Sequence, residues 1–295
     1  MQKLENERMK NTMISSEQLK GIIPPIVTPL TETGELDEPG FRRLINHLID
    51  KGVHGLFFMG STGEGPALPD SLRWKLLEVA VDEVKGRFPI LAGVADTSTE
   101  RTLENIKQAA GVGAEVAIVS APYYYAHDQK ALVNYYRTLA NEGELPVLIY
   151  NIPSMTKVGL TPESVAELSK EERIIGMKDS SGDFQYFIRL LRAIEGNDGF
   201  SLLQGADTLL YSSFVLGAKG AVPGSANIAP QYHIGVYESV KAGDFAKAES
   251  WQRKIWELID VLAAGGTWIS AIKTALEMMG ICGAKTTGPI ASCSE

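Results

Sequence analysis

Eight short apolar runs recur along the chain, each separated from the next by room for a helix. They are IIPPIVTPL from Ile22, GLFFMG from Gly55, PILAGV from Pro89 and EVAIVSAP from Glu115. PVLIYNIP from Pro146, IIGMKDSS from Ile174, SLLQGAD from Ser201 and AVPGSAN from Ala221 follow. Most lack polar alternation, as parallel strands buried on both faces do. The intervals carry helical spacing. Phe41, Leu44, Ile45, Leu48 and Ile49 follow the first run, with Asp37 to cap the helix and Gly52 to stop it. Leu72, Leu76, Leu77, Val79 and Val84 follow the second, and Thr161-Pro162-Glu163 opens another helix with proline near its first turn. Strand–helix units joined by short connections form right-handed crossovers. Eight of them over roughly 200 residues favour closure into a (β/α)8 barrel over a doubly wound open sheet.

Beyond Pro230 the pattern is helical only. The expected organisation is a polar N-terminal extension over residues 1–20, the barrel over 21–242 and a small C-terminal helical appendage over 243–295. A chain of 295 residues buries enough surface to need no disulfide staples. Cys282 and Cys293 lie in no CxxC motif, and His47, His54, His127 and His233 are scattered, so neither a disulfide framework nor a zinc site is expected. A net charge of -8 argues against nucleic acid as the main partner. The first residues lack an apolar core of signal-peptide type, and no run of 18 apolar residues follows. A soluble cytoplasmic protein with no membrane partner is the expectation.

A barrel of this kind builds its site at the C-terminal ends of its strands, so polar residues ending apolar runs carry the information. Lys178 follows Ile174-Ile175-Gly176-Met177 and should point into a largely apolar mouth. Desolvation disfavours an ammonium ion, and a neutral amine can attack a ketone to form a Schiff base, an electron sink for a neighbouring carbanion. The alternative is a lysine whose head reaches out to pair with Asp179 or Glu171. Tyr150 ends the preceding strand, and its phenol can shuttle protons or simply plug the mouth. The turn Gly60-Ser61-Thr62-Gly63-Glu64-Gly65 offers bare backbone N–H groups and two hydroxyls, a nest for a carboxylate or a plain glycine-rich turn. It lacks the lysine of a nucleotide-binding GxxxxGK[ST] loop. Together these groups are the equipment of a class I aldolase acting on a 2-keto acid.

At these residues the sequence resembles the dihydrodipicolinate synthase / N-acetylneuraminate lyase family of pyruvate aldolases. The motifs are Gly55 to Gly65, Tyr150-Asn151-Ile152-Pro153 and Ile174 to Ser180, and the resemblance runs from about Gly21 to about Gly283. It implies that Lys178 forms the Schiff base with pyruvate and that Tyr150 is the acid/base. Ser61 would relay protons between Tyr150 and Tyr124, with Tyr124 reaching in from a neighbouring subunit. Thr62 would bind the pyruvate carboxylate, and the Val222 carbonyl would lie near the reacting keto group. The resemblance also implies a homotetramer built from dimers and no need of a metal or organic cofactor.

Departures bear on the second substrate. Dihydrodipicolinate synthases carry an arginine two residues after the proline of YNxP, where this chain has Met155. Ser61-Thr62 is similar to the pair found in sugar-acid aldolases. In Gly205-Ala206-Asp207-Thr208, Asp207 matches the lyases' sugar-binding loop, and Gly224-Ser225 is similar to a sugar-contacting pair of that branch. Gly205, Asp207 and Ser225 are therefore expected at the substrate, although Asp207 could equally cap the next helix and Ser225 could serve packing. The expectation is an aldolase that cleaves or makes a 2-keto-3-deoxy sugar acid from pyruvate and an aldehyde. A condensation of pyruvate with aspartate semialdehyde is the alternative. A silent barrel that only binds a keto acid is the third reading.

Overall fold

The computed structural model describes residues 14–293. Each of the eight apolar runs supplies one strand: β1 (Gly21–Ile22), β2 (Leu56–Phe58), β3 (Ile90–Gly93), β4 (Val116–Ser120), β5 (Val147–Asn151), β6 (Ile174–Asp179), β7 (Ser201–Gln204) and β8 (Gly220–Ala221). The order is β1-β8-β7-β6-β5-β4-β3-β2, with every neighbouring pair parallel. The chain just after β1 closes the ring. Ile26 donates its N–H to the Phe57 carbonyl at 2.9 Å, and the Phe57 N–H donates to the Pro24 carbonyl at 3.0 Å.

Successive side chains of a strand point to opposite faces, and the two faces here are separate cores. Phe57, Ile118, Leu148, Leu203 and Val222 fill the barrel interior together with Tyr150. Leu56, Phe58, Val119, Val147 and Ile149 face the surrounding helices. Burying a side chain such as Phe57 contributes about 1.5–3 kcal/mol. One irregularity sets the mouth. Register slips between Val147 and Leu148, so Leu148 pairs with Gly176 and Tyr150 with Lys178, and both members of the latter pair point inward.

Helix ends follow the sequence signals. Asp37 accepts a hydrogen bond from the Gly40 N–H at 3.0 Å and caps Glu38–Asp50, and Gly52, at φ 84°, ends that segment in the left-handed region. Thr161 caps Pro162–Leu168 in the same way. No single helix among the described residues is long and apolar enough to cross a membrane.

The expected polar extension is corrected over its second half; residues 1–13 lie outside the described residues. Ile14 and Leu19 are buried with the interior cluster, and the Ser201 hydroxyl donates to the Ser16 carbonyl at 2.7 Å. Ser201 begins β7, so this short turn plugs the end of the barrel opposite the mouth. The C-terminal helices Phe245–Ala263 and Trp268–Met278 bury Ile255, Leu262, Ile272 and Leu276 against the outer core.

Candidate active site

Lys178 and Tyr150 occupy paired positions near the ends of β6 and β5, and Leu203 of β7 stands on the other side of the lysine. Lys178 is 4% exposed, and its Nζ lies 4.1 Å from the centre of the Tyr150 ring and 5.4 Å from that of Phe57. Phe57 meets Tyr150 edge-on at 6.3 Å. The nitrogen therefore has aromatic faces for company and, among the described residues, no carboxylate. Among the described residues both candidate partners are committed elsewhere. Glu171 pairs with Arg137 at 2.7 Å. Asp179 points away from the mouth and accepts from Asn151 Nδ2 and Ser181 Oγ, each at 2.8 Å. Burial pushes the Asp179 carboxyl up, against the pull of those two hydrogen bonds. The Asn151–Asp179 contact also ties the ends of β5 and β6 together, directly beside the Tyr150–Lys178 pair.

Ser61 stands within 3.4 Å of the Tyr150 hydroxyl. It belongs to the tight turn after β2, where Gly63 and Gly65 have no room for a Cβ against the carbonyls of Ile26 and Met59. The backbone N–H groups of Ser61 and Thr62 donate to no acceptor among the described residues, and Thr62 is buried. Such a pair of free donors beside a hydroxyl is a place for a carboxylate. A cavity of about 40 Å³ opens beside them, with Ser61, Tyr150, Ser120 and Arg73 in its wall. Arg73 was not singled out from the sequence. It is buried and its Nε has no hydrogen-bond partner among the described residues, a placement that no local sequence signal gives.

Gly205 follows β7 and lies directly against the lysine. A Cβ there would come within 3.0 Å of Lys178 Cε and would overlap Ser180 Oγ. Val222 closes the interior at the end of β8, its N–H donating to the Gln204 carbonyl at 2.8 Å. Tyr124 is elsewhere: it is 86% exposed, sits at φ 112°, and packs edge-on against Tyr125. Within one chain it makes no hydrogen bond to Ser61.

Asp207 and Ser225, expected at the substrate, are bonded to each other. Asp207 accepts from the backbone N–H groups of Ser225 at 3.0 Å and Gly224 at 3.2 Å, and from the Ser225 hydroxyl. His233 Nε2 lies 2.9 Å from Ser225 Oγ and 3.4 Å from the same carboxylate. Ser225 and His233 are fully buried. Three of these contacts fall on Oδ1 and one on Oδ2, so the carboxylate is held by the turn after β8. Asp207 does not cap a helix; it pins one strand-end turn to the next. Burial pushes its carboxyl up, but hydrogen bonds from His233 and Ser225 outweigh this and hold it below the ordinary value.

Comparison with known proteins agrees with this fold. The family model described as the dihydrodipicolinate synthetase family matches residues 18–295. The chain is 34% identical over 269 residues to a probable 2-dehydro-3-deoxy-D-pentonate aldolase, YjhH, of Escherichia coli K12, covering 90% of this chain and 89% of that one. It is similar to the dihydrodipicolinate synthase of Bacteroides thetaiotaomicron, with a TM-score of 0.90, 35% identity and 94% of each chain covered. It is also similar to YagE, a prophage protein of E. coli K12 solved in complex with pyruvate, with a TM-score of 0.89, 33% identity and 94% of each chain covered. With its fold and nearly its whole length in agreement, the chain belongs to the dihydrodipicolinate synthetase family.

Proposed function

We propose that this chain is a class I aldolase that joins pyruvate to a hydroxylated aldehyde, or cleaves the corresponding 2-keto-3-deoxy sugar acid. The observation that carries the reading is Lys178: a buried amine without an ion-pair partner among the described residues, laid over the Tyr150 ring at 4.1 Å. The amine attacks the keto carbon of pyruvate to give a carbinolamine, and loss of water leaves a Schiff base. The iminium draws the electron pair of a C3–H bond into an enamine, which adds to the aldehyde carbon. Hydrolysis then frees Lys178. Tyr150 moves the protons of these steps, with Ser61 next in line. The free N–H groups of Ser61 and Thr62 hold the pyruvate carboxylate, and the Val222 carbonyl faces the keto group.

Tyr124 completes the relay from a second copy. Its exposure leaves the ring open to a neighbouring copy. The working form is accordingly a homotetramer built from such pairs, acting in the cytoplasm. Sugar-acid aldolases and dihydrodipicolinate synthases both stand among the similar proteins. Met155, 63% exposed in the position of the synthases' arginine, favours the sugar-acid branch, because nothing at that place can grip a semialdehyde carboxylate in a two-pronged hydrogen bond.

The reading is tested by borohydride reduction with pyruvate. Intact mass should rise by one reduced pyruvate on Lys178, and Lys178→Ala should take up none. A wild-type protein without an adduct removes the aldolase and leaves the silent keto-acid binder.

A further inference from the structure

Glu64 sits three residues after Ser61, with φ 59° and ψ 16°. Residues other than glycine rarely hold that left-handed conformation, and those that do commonly serve a fixed purpose. Glu64 is 2% exposed, and its carboxylate is bonded to the C-terminal segment. One oxygen accepts from Lys273 Nζ at 2.5 Å, and the other accepts from the Thr287 N–H at 2.6 Å and the Thr287 hydroxyl at 2.8 Å. Lys273 is itself fully buried and donates as well to the Lys285 carbonyl. Both carboxylate oxygens and two of the three ammonium donors are thus used, and a buried ion pair needs such added hydrogen bonds if it is to hold.

The bonds reach the catalytic turn from 209 and 223 residues away in sequence. Within the turn, the Glu64 N–H donates to the Ser61 carbonyl and the Gly65 N–H to the Gly60 carbonyl, both at 3.1 Å. Thr28 Oγ1 donates to the Gly63 carbonyl at 2.6 Å. The Ser61 backbone is therefore bonded to the residue whose side chain is clamped. The helix that carries Lys273, Trp268–Met278, also lays its Trp268 indole against Gly224 of the turn after β8. One C-terminal helix thereby touches the turns at the ends of two strands.

We propose that Glu64 and Lys273 are positioning residues: their buried ion pair, completed by Thr287, fixes the Gly60–Gly65 turn so that Ser61 stays within reach of the Tyr150 hydroxyl. This rests on the aldolase reading above. The pair touches neither substrate nor Lys178. Once pyruvate saturates the site it acts on proton transfer; through the carboxylate nest of the same turn it also raises the affinity for pyruvate.

The test separates capture from proton transfer with pyruvate alone. Borohydride trapping reads capture by Lys178. Exchange of the pyruvate methyl hydrogens in D2O reads enamine formation: a C3–H bond breaks, its electrons pass to the iminium, and a deuteron returns. At saturating pyruvate Glu64→Gln and Lys273→Met should trap as fully as wild type, while exchange per trapped site falls by about tenfold or more. Should Glu64→Gln fail to fold, Thr287→Val carries the test, because it removes one hydrogen bond to the same carboxylate; a several-fold loss of exchange with full trapping is expected. Folded variants that melt earlier but exchange at the wild-type rate per trapped site would overturn the proposal and leave a pair that only stabilises the fold. A wild-type protein with no adduct defeats the aldolase reading and this proposal with it, and it is told apart because trapping itself is then absent.

Discussion

Lys178 and Tyr150 stand opposite each other on adjacent strands, with the lysine nitrogen over the face of the tyrosine ring. An aromatic face attracts a cation. The Schiff base formed on this nitrogen is also a cation, so the same ring supports the amine before reaction and the iminium after it. The hydroxyl is a separate instrument, bonded outward to Ser61.

Ring and hydroxyl can therefore be separated. Tyr150→Phe keeps the face and loses the proton carrier. It should still form the borohydride adduct, while kcat for pyruvate release falls on the order of 10²-fold or more. A near-wild-type kcat would strip the hydroxyl of its role.

Gly205→Ala puts a methyl against Lys178 Cε and Ser180 Oγ. Displacing an attacking atom by a fraction of its reach costs rate steeply, on the order of 10²-fold for about 1 Å. Trapping per folded molecule should slow accordingly; equal trapping rates would show that the lysine stem moves aside freely.

Met155→Arg supplies the fork that the synthases carry. Activity toward aspartate semialdehyde should rise, by up to the roughly 1–3 kcal/mol that one contact commonly commands. An unchanged rate in a coupled condensation assay would place the specificity elsewhere in the mouth.

Asp207 makes a stability prediction with a definite sign. Its folded carboxyl titrates below the ordinary range, so the stability it provides is complete above about pH 4 and is lost as the pH falls through the depressed value. Asp207→Asn should cost about 1.5–3 kcal/mol at neutral pH. The gap between variant and wild type in urea midpoints should narrow below pH 4; a gap constant with pH would mean that the carboxylate's charge is not what holds the turn.

The strands were legible because a parallel strand with two buried faces leaves an almost unbroken apolar run, and Lys178 stood out as the charge at the end of one. What escaped depended on contacts distant in sequence. Whether Lys178 was free turned on Arg137 claiming Glu171, and what holds Asp207 turned on Ser225 and His233, 18 and 26 residues on. The Ile14–Leu19 plug was invisible because a few apolar residues in a polar stretch carry no periodicity. Glu64 was read as part of a motif, and its partner at Lys273 has no local signature at all.

Gly205 sets a rule for anyone who would retool this enzyme. Beside the lysine stem on the β7 side there is no volume to trade, so libraries aimed there will return inactive clones. The Met155 side is open to solvent, and new aldehyde preferences are to be sought by diversifying that rim.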